Sequence, residues 1–327
     1  MTLPASIQQQ FATDLHLAFS SAPRSISPKY FYDEIGSALF EQICDLPEYY
    51  PTRTELALLH AHAAEMAACI GPHAQLVEYG AGALRKVRCL LDQLEAPAAF
   101  VPVDISGAHL LAACAQLQLS YPTLRIAPVV ADFTQPHDLP PHPSHRANPQ
   151  QGEEPAQKGR RVGFFPGSSI GNFSPPEAQA FLSMAAHELR GGGLLIGVDL
   201  IKHPAVLHAA YNDAAGVTAA FNLNLLERAR RELGAEVNTA GFAHSAFYNA
   251  PLQRIEMHLL SLQRQVLHLD GHSYAFEAGE TLHTENSYKY SVPGFQALAA
   301  RAGFTPGQVW VDEQQWFSLH WLQAPPL

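Results

Sequence analysis

A short apolar stretch that ends in an acid and two glycines carries the first sign of chemistry in this chain. Residues 76–82 place Glu78 just before Gly80 and Gly82. Glycines allow a backbone turn with positive φ and let a ligand approach the main chain closely. We predict a buried strand before the turn and a helix from Ala83 to Leu94, whose first amide groups would face the same crevice. Tight strand–helix turns also occur without a ligand, so the motif alone does not establish a site.

The polar ends of the later strands strengthen this interpretation. A second predicted strand, 99–103, ends in Asp104, and an acid about twenty residues after a glycine turn suits paired hydrogen bonds to ribose hydroxyls. Three more predicted strands follow, at 126–130, 161–165 and 193–199. The first of these three runs into Asp132 and Phe133. Because parallel strands bring their carboxyl ends to one edge of a sheet, the pattern predicts a nucleotide-type site there.

The residue three after the second glycine bears on the type of cofactor. Nicotinamide enzymes usually carry a third glycine at this place, which allows a helix to pack closely on a pyrophosphate. The residue here is Arg85. A ligand with ribose and adenine but no pyrophosphate fits better, and S-adenosylmethionine (SAM) is such a ligand. A dehydrogenase remains an alternative, which an NAD(H) binding assay would test.

Composition limits the class of partner. Of the 327 residues 47% are hydrophobic and 15% are charged, so the chain can bury a core as one large domain or two smaller ones. The net charge of -10 disfavours nucleic acid and anionic membranes as partners, because phosphate binding needs clustered Lys and Arg. We expect a small-molecule substrate, no nucleic-acid or membrane partner, and a monomer.

The cysteines and the N-terminus indicate the compartment. The four cysteines are scattered without a CxxC or another metal-binding spacing, and we expect reduced thiols. Residues 1–22 have no basic segment and no continuous apolar core of a signal peptide, and no apolar run approaches the ~20 residues that span a bilayer. We therefore expect a cytoplasmic protein.

The order of predicted elements gives an α/β fold with a second, smaller α+β domain. The strand–helix alternation stops after Asp199 and resumes at about Tyr288, and two strands at 309–311 and 316–321 form a final antiparallel hairpin. This predicts a Rossmann-like, seven-stranded sheet with an antiparallel last strand. The cofactor domain would comprise 54–200 and 289–327. The substrate domain would comprise 1–53 and 201–288.

Several local features outside the sheet are also predicted. Residues 6–20 show the apolar spacing of an amphipathic helix, and 46–55 reads as a rigid aromatic loop with Thr54 capping a helix from Glu55 to Ile70. The proline-rich stretch 134–159 reads as a mobile surface insertion. Its histidines, His137, His142 and His145, could bind a metal, but we expect them to be solvated and predict no metal site.

Five stretches carry longer motifs than the glycine turn, namely 30–33, 46–55, 167–172, 211–222 and 254–257. In these stretches the chain resembles the histidine Nα-methyltransferases of ergothioneine biosynthesis, and the resemblance covers nearly the whole chain apart from the 134–159 insertion. It implies a class I, SAM-dependent N-methyltransferase that converts L-histidine into its trimethyl betaine, hercynine.

The resemblance also implies the roles of individual residues. With Gly82 of the turn included, the cofactor contacts are Gly80, Gly82, Lys86, Asp104, Asp132 and Phe133. The substrate contacts are Tyr49, Asn172, Tyr211, Met257, Glu285 and Ser287, with Tyr32 as the catalytic residue beside the reacting amine. Without the family context, Glu285 is an ordinary surface carboxylate, Asn172 a turn residue and Tyr211 a half-buried helix residue.

One departure from the family leaves alternatives open. A known member of the family has a hydroxyl-rich, glutamate-containing turn after its first glycine, whereas residues 81–85 here have neither a hydroxyl nor a glutamate. The same fold could methylate a thiohistidine, a histidyl-cysteine sulfoxide or an indole amino acid; Glu285 and Ser287 favour an imidazole over an indole. An inactive SAM-binding sensor or scaffold is the alternative of another class.

Overall fold

The computed structural model describes residues 5–143 and 159–327. The chain divides into two compact units. One, here called the sheet unit, comprises Pro51–Lys202 and Tyr288–Leu327. The other, the smaller unit, comprises Met1–Tyr50 and His203–Ser287. The chain therefore leaves the sheet unit once and returns to it once.

The sheet unit is built on a seven-stranded sheet. Its strands are β1 (Gln75–Tyr79), β2 (Ala99–Asp104), β3 (Val129–Val130), β4 (Arg161–Phe165), β5 (Gly193–Asp199), β11 (Thr305–Val311) and β12 (Phe317–Gln323), arranged in the order β11-β12-β5-β4-β1-β2-β3. The five N-terminal strands pair in parallel, and β12 runs antiparallel to both its neighbours. The predicted sheet, including its antiparallel last strand, is confirmed.

Burial on both faces explains why these strands could be recognised. All five residues of β1 and all seven of β5 are buried, as expected for central strands of a covered parallel sheet. The exception is β3, where only Val129 and Val130 of the predicted 126–130 form a strand. Pro128 precedes them and has no N–H to donate, so the pairing is reduced to an isolated bridge at Ile126 before the strand begins.

Helices cover both faces of the sheet. They are α3 (Tyr50–Ile70), α4 (Val87–Leu91), α5 (Gly107–Ser120), α6 (Pro175–Glu188) and α9 (Val292–Arg301). One buried cluster joins α3, α4 and α5 to the sheet through residues such as Met66 and Leu110. A second joins α6 and α9 to the sheet through residues such as Phe181 and Phe295. The sheet unit is thus a three-layer α/β arrangement.

The smaller unit is α+β. Its helices are α1 (Ala5–Ser20), α2 (Glu34–Asp45), α7 (Pro204–Tyr211) and α8 (Val217–Leu233). Its strands are β6 (Phe242–Asn249), β7 (Arg254–Ser261) and β10 (Thr281–Tyr288) in one sheet, and β8 (Gln265–Leu269) and β9 (His272–Phe276) in a hairpin. The predicted apolar face of α1 is confirmed, since Phe11, Leu15 and Phe19 are buried. The sequence did not predict β6.

Two of the predicted helix starts are wrong. The helix predicted from Ala83 to Leu94 is only the five-residue α4, because Leu84 adopts a positive φ of 55° with its side chain buried. A helix cannot pass through a left-handed residue, so the chain turns until Lys86. Helix α3 begins at Tyr50, so Thr54 lies inside it and is not its cap. Pro51 is tolerated there because the first helical turn needs no N–H donor.

Two further expectations have a limited outcome. The expectation that the histidines of the 134–159 insertion are solvated is wrong for His142, which is buried with 6% of its surface exposed. Residues 144–158, including His145, lie outside the described residues, so the mobility of the insertion stays a prediction. Within the described ranges, no helix combines the length and the apolar character that crossing a bilayer requires.

Candidate functional site

The glycine turn after β1 lies against the ends of the neighbouring strands. Gly80 and Gly82 have φ of +66° and +52°, which residues with a Cβ rarely adopt. The Gly80 amide donates to the Val103 carbonyl at 2.9 Å, and the Gly82 amide donates to Oδ2 of Asp104 at 3.1 Å. Apart from the chain neighbours of Gly82, no heavy atom of the described residues lies within 4 Å of a Cβ placed on it, so the turn borders open space. Such a surface can take a ligand against bare backbone.

Asp104 is the acid at the end of β2, and backbone groups fix its carboxylate. Oδ2 accepts from Gly82 N, and Oδ1 accepts from Ser106 N at 2.8 Å. A carboxylate has about four lone-pair sites, so each oxygen keeps one for a further donor. This arrangement suits a vicinal diol such as that of ribose.

The acid and the aromatic residue after β3 lie at the same end of the sheet. A Cβ on Gly80 would be 3.3 Å from the ring of Phe133, which places that ring over the glycine turn. The ring also packs against Phe165 with a centroid distance of 5.5 Å. Oδ1 of Asp132 accepts a hydrogen bond from the Thr134 amide at 3.0 Å. An aromatic face beside a carboxylate is a combination that can hold the ring and the amino group of a purine.

The only lysine of this turn region, Lys86, pairs with a buried acid. Its Nζ lies 2.6 Å from Oε2 of Glu55, a residue of α3 whose side chain is fully buried. Both carboxylate oxygens of Glu55 also lie within hydrogen-bonding distance of Gly167 N, at 3.0 and 2.9 Å. The pair brings a positive charge to the glycine turn while keeping the net local charge near zero.

Glu78 of β1 is a second buried acid in this region. Burial raises the pKa of its carboxyl well above the usual range, the nearby Lys86 charge lowers that pKa, and Glu55 and Asp104 raise it. Among the described residues its Oε2 has no hydrogen-bond partner. A buried carboxyl with one unbonded oxygen among the described residues therefore lies beside the glycine turn.

Asn172 ends a turn that follows β4. The turn, Ser169–Asn172, starts after two residues with positive φ, Gly167 and Ser168. Ser168 Oγ accepts from the Asp199 amide at 2.8 Å, which ties the turn to the end of β5. The sheet unit thus contains Asn172 together with all six expected cofactor residues, and the smaller unit contains the other expected substrate residues.

In the smaller unit, Tyr211 and Ser287 form a buried polar pair. The Tyr211 hydroxyl at the end of α7 donates to Ser287 Oγ on β10 at 2.7 Å. Glu285 lies two residues earlier on β10, and its carbonyl lies 3.0 Å from Nε2 of His283. Burial raises the pKa of Tyr49 well above its usual value, and the nearby Tyr211, Tyr32 and Glu285 raise it further. The phenol of Tyr49 is therefore neutral throughout the ordinary pH range and lies close to these three residues.

Four aromatic rings of the smaller unit form one cluster around Phe40. Ring centroids are 5.6 Å apart for Tyr32 and Phe40, 6.3 Å for Phe40 and Tyr49, and 6.0 Å for Phe40 and Phe221. Tyr32 also lies 5.7 Å from Phe221. We call Tyr32, Phe40, Tyr49 and Phe221 the aromatic cluster. Such a group of π faces attracts a cation that has few hydrogen-bond donors.

Met257 takes a different position from the polar substrate residues. It is buried on β7, with 2% of its surface exposed, and its carbonyl accepts from Thr284 Oγ1 at 3.0 Å. Because Thr284 directly precedes Glu285, the sheet places the strand of Met257 beside the strand of Glu285. Met257 is thus an apolar neighbour of that strand.

Comparisons with known proteins decide the family. A family model described as "Histidine-specific methyltransferase, SAM-dependent" matches residues 11–324. The chain belongs to this family. It is therefore a SAM-dependent methyltransferase with a class I fold, and the resemblance seen in the sequence is confirmed.

Individual relatives agree with the family. The chain is 38% identical to a "Histidine N-alpha-methyltransferase" of Mycolicibacterium smegmatis, over 96% of this chain and 95% of the relative. It is 29% identical to "Ergothioneine biosynthesis protein 1" of Neurospora crassa, over 92% of this chain but only 33% of that longer protein. It is 27% identical to a "4-dimethylallyltryptophan N-methyltransferase easF" of Epichloe festucae var. lolii, over 89% of this chain and 88% of that protein.

The residues of the methyltransferase's glycine turn region fit SAM. Asp104 offers free lone pairs for the ribose, Phe133 offers a ring face and Lys86 offers a cation for the methionyl carboxylate. The space beside Gly82 leaves the backbone accessible.

The sequence missed four residues that the structure places at these sites. Phe40 and Phe221 complete the aromatic cluster, but they lie on different helices and nothing in their spacing connects them. In the sequence, Glu55 marks only the predicted start of a helix, and Glu78 is only the acid before the glycines. The position of Glu78 two residues before Gly80 was the one signal available for it.

Three potential metal ligands of the methyltransferase lie together on the neighbouring strands β7 and β10. Ligand atoms of Glu256, His258 and His283 lie within 4.8 Å of one another. The Glu256 carboxylate is already bonded to Arg254 at 2.6 Å and Asn249 at 2.8 Å. The Arg254 guanidinium, so close to the Glu256 carboxylate, would repel a metal cation bound there. We therefore interpret the three residues as a hydrogen-bonded group that stabilises β10 at His283, two residues before Glu285.

Proposed function

We propose that this chain transfers three methyl groups in succession from SAM to the α-amino nitrogen of L-histidine and releases hercynine, as in ergothioneine biosynthesis. One observation carries the substrate half of the proposal: the polar group of Tyr211, Ser287 and Glu285 adjoins the aromatic cluster through Tyr49. Polar groups suited to an imidazole and rings suited to a quaternary ammonium are thus close together. The family match supports the reaction type.

The cofactor would be held by the sheet unit. Asp104 would accept from the two ribose hydroxyls, Lys86 would bind the methionyl carboxylate, and Asp132 and Phe133 would hold the adenine. The turn at Gly80 and Gly82 would let the ligand lie against the backbone. Bound SAM supplies an electrophilic methyl group on a sulfonium.

The site would bind histidine through both its carboxylate and its imidazole. The Asn172 amide and the Tyr211 hydroxyl suit the histidine carboxylate, while Glu285 and Ser287 suit the imidazole N–H and ring nitrogen. Met257 would line the pocket. When the imidazole is replaced, the buried polar groups that bind it are left without hydrogen-bond partners. Such a site therefore strongly rejects amino acids that lack an imidazole.

Methyl transfer needs a neutral amine lone pair aligned with the methyl carbon, and alignment alone supplies much of the rate. Tyr32 would accept a hydrogen bond from the amine and orient that lone pair. Tyr49 stays neutral because its pKa is raised, so it acts as a hydrogen-bonding phenol and not as a base. Water can take the protons released after the first and second transfers.

The final product is a permanent cation that cannot donate a hydrogen bond. Its binding therefore depends on π faces, and each ring contact is worth ~0.5–2 kcal/mol. Four rings around the reacting nitrogen would let the site accept the dimethyl intermediate and complete the third transfer. We further expect the protein to act as a cytoplasmic monomer.

Mass spectrometry of the purified protein with SAM and L-histidine tests the proposal. The parallel substrates are Nα-methylhistidine, Nα,Nα-dimethylhistidine, tryptophan and a thiohistidine. We expect trimethylhistidine to accumulate through the mono- and dimethyl forms, with no product from tryptophan. Methylation of only another acceptor would overturn the substrate assignment and retain the fold and cofactor. SAM binding without turnover on any of these compounds would favour the sensor alternative.

A further inference from the structure

The buried acid Glu55 contacts both ligand-facing segments of the sheet unit. Its Oε2 lies 2.6 Å from Lys86 Nζ of the glycine turn. Both of its oxygens accept from Gly167 N, at the start of the loop that leads to Asn172. Lys86 is the proposed cofactor cation and Asn172 a proposed substrate contact. We propose that Glu55 is a positioning residue that holds both of them.

The shape of the surrounding core shows how tightly the carboxylate is placed. A Cβ added to Gly197 of β5 would lie 2.1 Å from Glu55 Oε1. Gly197 is thus the position where the sheet leaves room for the carboxylate. A Cβ on Gly167 would lie 3.4 Å from Lys86 Nζ, so the lysine and the loop also lie close together. Helix α3, the central sheet and both loops meet at this one side chain.

Glu55 forms an ion pair with Lys86 and accepts hydrogen bonds from the Gly167 loop. An ammonium has three donors, so a single bond to Glu55 leaves two for the methionyl carboxylate. A charge-assisted bond restricts the lysine to rotamers that point toward Glu55 and the turn. The amide bonds from Gly167 fix the start of a segment that contains two left-handed residues, Gly167 and Ser168. Glu55 would therefore affect cofactor binding through Lys86 and histidine binding through the loop.

The inference rests on the proposed role of Lys86, so the experiment tests the two separately. Binding of S-adenosylhomocysteine is measured by calorimetry for the wild type, Glu55→Gln, Lys86→Met and the double variant. Losing one charge-assisted bond should weaken binding about tenfold in Glu55→Gln. If Glu55 acts on the cofactor through Lys86, adding Glu55→Gln to Lys86→Met should weaken binding no further.

The histidine KM gives a readout that general destabilisation would not produce. Glu55→Gln should raise the histidine KM several-fold through the Gly167 loop, whereas Lys86→Met should change it little. Glu55→Asp keeps the charge but shortens the side chain, and it should recover part of the cofactor affinity. Glu65→Gln, an exposed acid on the same helix, serves as the matched control and should bind like the wild type.

The outcomes distinguish a wrong role for Lys86 from a wrong role for Glu55. If Lys86→Met binds like the wild type, the proposed role of Lys86 is wrong and the inference falls with it. If Lys86→Met weakens binding but Glu55→Gln does not, the positioning role of Glu55 alone is wrong. Tighter binding in Glu55→Gln would show that Glu55 competes with the cofactor for the lysine, which is the opposite of the proposal.

Discussion

Replacing Asp104 by Asn gives the sharpest test of the cofactor site, because the structure shows what each carboxylate oxygen does. Oδ2 accepts from Gly82 N at 3.1 Å and Oδ1 accepts from Ser106 N at 2.8 Å. An asparagine must put its NH2 group in one of these two places. A donor then faces a backbone donor, and one of the two free acceptor sites proposed for ribose is lost as well.

The expected loss follows from these bonds. Hydrogen bonds to charged groups contribute ~1.5–3 kcal/mol each, so losing one weakens S-adenosylhomocysteine binding roughly 10- to 100-fold. Calorimetry of wild type and Asp104→Asn measures it. Asp92→Asn is the matched control, because Asp92 is an exposed carboxylate of the same unit that accepts from Tyr121 Oη at 2.5 Å. Its binding should equal that of the wild type.

A ligand analogue separates lost ribose contacts from a damaged loop. The wild type should bind 2′,3′-dideoxy-S-adenosylhomocysteine more weakly than the ribose form. Asp104→Asn keeps only one acceptor oxygen, so the difference in affinity between the two ligands should become smaller. Loop damage alone would weaken both ligands and preserve the difference between them. Wild-type affinity in Asp104→Asn, or a difference as large as that of the wild type, would refute the assignment of Asp104 to the ribose.

Three further outcomes are expected. Glu285→Gln should raise the histidine KM about 10- to 100-fold with little change in S-adenosylhomocysteine affinity, measured by initial rates and calorimetry; reduced cofactor affinity would contradict the assignment. Phe40→Leu keeps apolar volume but removes a π face, so dimethylhistidine should accumulate by mass spectrometry; an unchanged product ratio would contradict the role of the aromatic cluster. Burial lowers the pKa of His320 from 6.5 to about 4, so the unfolded state takes up a proton first as pH falls. That difference corresponds to roughly 3 kcal/mol of stability, present above pH 6.5 and lost toward pH 4. Urea unfolding should show this loss in the wild type and a flatter pH dependence in His320→Gln.

The sequence predicted the parts of the fold that follow from burial alone. Strands β1 and β5 are covered on both faces, and the apolar run of β5 shows this directly, whereas β1 also contains the polar residues Gln75 and Glu78. At Leu84 and Pro128 the local backbone conformation prevented the predicted helix and the predicted strand from forming in full. Leu84 is an apolar residue that fits a helix, yet its burial fixes it in a left-handed turn. Pro128 removes a ladder donor from an otherwise β-branched stretch.

The candidate site was predictable only in part for a related reason. Glycines and acids at strand ends mark a cofactor site because the topology of a parallel sheet gathers strand ends. Phe40 and Phe221 become neighbours only when α2 packs on α8, and no spacing rule connects two helices so far apart in sequence. Glu55 likewise reaches Lys86 only through the packing of α3 on the sheet. Long-range packing determines these contacts, and a single sequence does not reveal it.

The buried acid Glu55 can compensate for the missing hydroxyls of the glycine turn. Residues 81–85 offer the cofactor backbone groups but no hydroxyl, so on the proposed assignment the methionyl carboxylate depends on Lys86. A free lysine side chain loses up to ~2 kcal/mol of rotamer entropy when it is fixed. Glu55 already restricts Lys86 before the cofactor binds, so less of this loss falls on binding. A tethered cation can thus offset the missing hydroxyls, and Glu55→Gln should therefore weaken cofactor binding although the proposal gives Glu55 a contact with Lys86 and none with the cofactor.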